Sequence, residues 1–177
     1  MYPTKIVIAI ILAVVIQVAV PTVTGSTRFN YVDLPLIITV YFSLRRSQLL
    51  GMVTGMASGL MQDALSHSYM GIGGLTKTII GYIIATISIR VELDNFLMRL
   101  LTLGIAGGIN SLLFIGINKV VGVPEFVEMQ NRVMWKTVGI QAGVNLVVGF
   151  FIFVILDKLV GRPDPGKVET VRTKYYR

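Results

Sequence analysis

The sequence predicts an all-α, polytopic membrane protein built as a bundle of six helices. Only 14% of its residues are charged and its mean hydropathy is +0.75, whereas a soluble domain averages about 25% charged. Apolar runs follow one another along the chain with short polar breaks between them. Lysines and arginines collect in those breaks and in the C-terminal tail. That is the pattern of the positive-inside rule and not of a nucleic-acid surface, although the net charge is +7.

A spanning helix needs about 20 mainly apolar residues. Residues 4–20 form the first such run, and Pro21 is expected to end it because proline cannot continue the hydrogen-bond ladder. The run has no convincing small-x-small cleavage site, so it reads as a retained helix and not a signal peptide. The second run, 31–44, is short, with Pro35 near its start, where a missing N–H does little harm. It reads as a tilted or partial span or a helix buried among the others. Arg45 and Arg46 close it. The third run covers 47–65, the fourth 71–89, the fifth 96–121 and the sixth 133–160. Together residues 1–160 make one transmembrane domain. Residues 161–177 form a polar, basic tail with two prolines.

Six spans put both ends on one side. With the N-terminus inside, the cytoplasmic segments carry Lys5, Arg45, Arg46, Arg90, Arg99, Lys158 and the cations of the tail. The opposite side carries Arg28, Lys119, Arg132 and Lys136. The bias places both termini in the cytoplasm. The two halves show no repeat of the kind that marks many transporters.

Small residues define the packing surfaces. Gly51, Gly55 and Gly59 recur every fourth residue, so they share one helix face and let another helix approach closely. The partner is a helix of the same chain or of another protein. Span six repeats the device with Gly139 and Gly143, beside Gln141 and Asn145. Asn110 and Asn145 are intramembrane amides, suited to interhelical hydrogen bonds worth about 0.6–2 kcal/mol each.

Few residues suggest chemistry. Asp63 closes span three and Lys77 lies about two turns into span four, across a tight turn. A lysine there is costly unless paired or snorkelling, so an Asp63–Lys77 contact is expected at the outer mouth. It is either a clamp or the edge of a polar cavity. Asp157 and Lys158 are expected exposed at the inner boundary. His67 is the sole histidine, and the chain has no cysteine. A metal site needs three or four ligands, so no metal or other cofactor is expected. Ser58, Ser66, Ser68 and Ser111 lack a base-and-orienter set apart from His67 and Asp63. Residues 73–78 lack the spacing and preceding strand of a phosphate-binding loop. The chain therefore reads as non-enzymatic.

The stretch around the turn resembles a known family. A glycine-studded helix leads to Gly59-Leu60-x-x-Asp63. Ser66 and Ser68 follow in the turn, then Gly71, Leu75 and Gly81-Tyr82. This resembles the rod shape-determining protein MreD family, small multi-pass proteins of the bacterial inner membrane. The motif covers residues 51–90, and the layout covers the whole chain.

The resemblance implies a scaffold subunit of the cell-elongation machinery. Its direct partner would be an MreC-like bitopic protein. An MreB-like filament, RodA and a class B penicillin-binding protein act in the same complex. The contact surface would be Gly51, Gly55 and Gly59. Tail residues Lys167, Arg172, Lys174 and Arg177 would meet membrane lipid or an acidic partner, or serve only as a solvated topology anchor. The family is also similar in fold to the substrate-binding subunits of energy-coupling-factor transporters, six-helix proteins that capture vitamins. That makes a solute-binding transporter subunit the alternative reading. Span one lacks the alanine-rich docking helix such subunits use, being mainly β-branched over residues 6–20.

Overall fold

The computed structural model describes residues 2–25, 31–66, 69, 71–91, 93 and 95–160. Among these, the chain forms seven helices. They are α1 Tyr2–Thr24, α2 Leu34–Ser43, α3 Gln48–Leu65, α4 Ile72–Arg90, α5 Phe96–Val121, α6 Pro124–Val127 and α7 Asn131–Val160. Four of them, α1, α4, α5 and α7, are long and apolar enough to cross a membrane.

This corrects the expected bundle of six helices to seven, of which four meet the length and hydropathy of a crossing helix. The second run becomes α2, whose ten residues reach about 15 Å, half of a hydrocarbon core of about 30 Å. The third becomes α3, 18 residues long, whose glycines, Ser58, Thr54 and Asp63 dilute its apolar content. The small helix α6 occupies the loop before α7. Pro21 does not end α1. It sits in the last turn, where it forfeits a single ladder bond, and the helix runs on to Thr24. Gly25 then adopts a positive φ and donates to the Pro21 carbonyl at 2.9 Å.

The main helices alternate in direction. One end of the bundle, called proximal, holds Lys5, whose Nζ reaches the Leu159 carbonyl at 2.9 Å. The distal end holds the C-terminus of α1, the start of α2 and the α3–α4 turn. The short α2 is the central post. All its residues are buried, and α1, α3, α4, α5 and α7 pack against it. Leu36, Ile37, Val40, Tyr41 and Phe42 are wholly enclosed there.

Helix ends are set by local chemistry. Asp33 caps α2, accepting from Leu36 N at 3.0 Å. Ser47 caps α3 through Leu50 N at 3.3 Å. Asn95 caps α5, which stops at Gly122 in the left-handed region. These are the residue types that satisfy the orphan amides and carbonyls of a helix terminus.

Candidate functional site

The glycine ladder of α3 is an internal seam. A Cβ placed on Gly51 would run into the Gly81 carbonyl, one on Gly55 into the Lys77 carbonyl, and one on Gly59 into the Gly73 carbonyl. The relation is reciprocal, since a Cβ on Gly81 would strike the Gly51 carbonyl. The α3 and α4 backbones are therefore in direct contact, the arrangement small residues permit. Of the two partners the sequence leaves open, a helix of the same chain or of another protein, the structure has the first, because α4 covers this face. Gly139 and Gly143 differ. Both are exposed on α7, and a Cβ on either would meet nothing within 4 Å.

The expected Asp63–Lys77 pair is also corrected. Asp63, only 4% exposed, caps the start of α4. Its Oδ2 accepts from Gly71 N at 2.9 Å and Gly74 N at 3.2 Å. Gly71 has no side chain to do this for its own helix, and the positive end of the helix favours a carboxylate. Gly73 must lack a Cβ, which would collide with Asp63 Oδ1.

Lys77, 3% exposed, instead bonds Asp33 Oδ2 at 2.9 Å. The segment around Asp33 gathers one polar group from nearly every main helix. Asn110 Nδ2 of α5 donates to Asp33 Oδ2 at 3.3 Å. Asp33 N donates to Asn145 Oδ1 of α7 at 2.8 Å. From α1, Gln17 donates to the Val32 carbonyl at 2.8 Å and accepts from Leu34 N at 2.9 Å. Asp33 lies inside the second apolar run, 31–44, and the sequence reading assigns it no role. The signal was available, since an aspartate two residues before a proline marks a helix start.

The proximal end holds a second charge pair, again a buried cation on a half-buried carboxylate. Arg99, 2% exposed, forks onto Asp157 at 2.9 and 3.0 Å. Tyr41 donates its hydroxyl to Asp157 Oδ1 at 3.0 Å. The guanidinium also lies over the Tyr41 and Phe153 rings, 5.4 and 5.2 Å from their centroids. Asp157, expected exposed, is thus half-buried and paired, and Arg99 is more than a topology cation.

A cavity of about 750 Å³ opens at the distal end, walled by α1, α3, α4, α5, α7 and the α6 loop. Asp33, Asp63, Lys77, Asn110, Ser111 and Gln141 line its polar side, with Ser111 donating to Gln141. No three acidic or histidine side chains gather as a metal site among the described residues. His67, Ser68 and the tail residues Lys167, Arg172, Lys174 and Arg177 lie outside the described residues.

Four long apolar helices around a buried central helix, locked by the Lys77–Asp33 and Arg99–Asp157 ion pairs, define a multi-pass helical membrane protein. The family model described as rod shape-determining protein MreD matches residues 2–159, and the chain belongs to that family. No curated protein and no solved structure matches. Family membership assigns the chain to rod-shape determination.

Proposed function

We propose that the protein is a non-enzymatic scaffold of the bacterial cell-elongation complex. It sits in the cytoplasmic membrane with both termini inside, as its basic residues favour. It binds an MreC-like bitopic protein, and so links an MreB-like filament to wall synthesis by RodA and a class B penicillin-binding protein. The basic tail adds contact with anionic lipid, worth about 1 kcal/mol per charge near the surface.

One observation supports this reading beyond family membership. The charges of Lys77, Asp33, Arg99 and Asp157 hold helices together, while the Gly139–Gly143 face of α7 stays uncovered. Val147 continues that face and Trp135 precedes it, both exposed. A partner's transmembrane helix fits such a surface, since glycine spacing lets backbones approach.

Mild-detergent affinity purification from the native membrane, followed by mass spectrometry, tests the proposal. An MreC-like protein with wall-synthesis enzymes is the expected company. Recovery with an ATPase pair and a coupling subunit, and without those enzymes, overturns it in favour of solute capture.

A further inference from the structure

The distal cavity has the size of a small-molecule site, for which about 300–1,000 Å³ is usual. It is also deep. Asn110, one of its lining residues, lies 11 residues before the end of α5, about 16 Å by helical rise. That is half of a hydrocarbon core of about 30 Å. Asp33, bonded to Asn110 at this depth, keeps 17% of its side chain accessible, so the cavity reaches the carboxylate of the ion pair with Lys77.

The lining is unbalanced in charge. Among the described residues it holds two carboxylates, Asp33 and Asp63, and one cation, Lys77. Lys77 bonds Asp33. Asp63 meets the start of α4, whose Gly71 and Gly74 amides bring only the partial positive charge of a helix end. A surplus of one sign in a cleft with low-dielectric walls draws in the opposite sign, so the cavity favours a cation. A metal ion would find too few ligands, since no three acidic or histidine side chains gather there among the described residues. An organic cation fits better. Tyr31, Phe114 and Phe126 all line the cavity, and aromatic rings attract ammonium groups. Ile115 and Met129 add apolar wall.

We propose that this cavity binds an organic ammonium ion with an apolar body. The field of the two carboxylates draws in the cationic head, the aromatic rings hold it, and the apolar body lies along Ile115 and Met129. Such a head belongs to an amino-headgroup lipid or to a free amine. The inference goes beyond the scaffold reading and requires no transport.

The test uses the full chain in an uncharged maltoside detergent, with hexyltrimethylammonium as probe. The chain lacks cysteine, so Thr137→Cys on the cavity wall gives a single target for N-ethylmaleimide. Hexyltrimethylammonium should slow its labelling in a saturable way. Hexyl β-D-glucoside and hexyl sulfate, with the same chain but no positive charge, should not. Tetramethylammonium protecting as well identifies a free amine. Protection that needs the alkyl chain identifies a lipid. Two further variants are read in the Thr137→Cys background. Thr22→Lys adds a cation at an exposed position of the lining and should weaken the probe about tenfold. Asp63→Asn removes a charge, keeps an acceptor for the Gly71 and Gly74 amides, and should weaken it similarly. Because Asp63 also holds the start of α4, Thr22→Lys is the deciding variant. Equal protection by hexyl glucoside or hexyl sulfate, absence of protection by hexyltrimethylammonium, or unchanged affinity in Thr22→Lys each overturns the proposal.

Discussion

Lys77 and Asp33, 44 positions apart in the chain, meet at 2.9 Å and tie α4 to the start of α2. Lys77 is buried and Asp33 half-buried, and the carboxylate is hydrogen-bonded at both ends, since Asp33 Oδ1 also accepts from Leu36 N. Burying two charges is expensive, and removing one partner leaves the other stranded. Lys77→Met and Asp33→Leu should therefore each destabilise the protein by about 3–5 kcal/mol. The double variant should recover much of the loss. Thermal unfolding in one detergent, read for all four proteins, checks this.

Asp63 plays a different part, so its variant should behave differently. Asp63→Ala removes two charge-assisted bonds to the Gly71 and Gly74 amides. A loss of about 2–3 kcal/mol is expected. Combining it with Lys77→Met should give additive losses, as for groups without a shared contact. Strong coupling between the two would restore the direct pair that the structure replaces.

Gly55→Leu forces a side chain into the Lys77 carbonyl. It should separate α3 from α4 and lower the amount of folded protein in the membrane. Gly143→Leu points into open space and should leave the thermal midpoint within a degree or two of the parent, since surface changes usually lie within about 0.5 kcal/mol. Fluorescence size-exclusion profiles of the two, each fused to a reporter, separate these outcomes.

Arg99→Lys should not be conservative. Lysine keeps the charge but loses the fork onto Asp157 and the stacking over Tyr41 and Phe153. A loss of about 1–3 kcal/mol is expected, on the scale of hydrogen bonds to charged groups. Denaturation in detergent measures it.

Much of this architecture was legible in the chain. Apolar runs marked the long helices, and spacing every fourth residue marked Gly51, Gly55 and Gly59 as a packing face. That α4 covers the face follows from the carbonyls of Gly73, Lys77 and Gly81, which no side-chain pattern reveals. The partner of Lys77 was misread for a related reason. Asp63 is nearer in sequence, but the start of α4 claims it first, because Gly71 supplies no cap of its own. Asp33 arrives through the tertiary fold, carried to α4 by a helix too short to cross. The same holds for Arg99 and Asp157, 58 residues apart. Their separation hides a pair that the α5–α7 packing creates.

Cross-linking in native membranes tests the scaffold account most directly. In a chain without cysteine, Gly143→Cys marks the uncovered face of α7, and Ile8→Cys marks an exposed position on α1. With a bifunctional maleimide reagent, Gly143→Cys should capture an MreC-like protein carrying a cysteine in its transmembrane segment, and Ile8→Cys should not. Capture from Ile8→Cys alone, or from neither position while the partner's cysteine remains reactive, would contradict the assignment of α7 as the docking face.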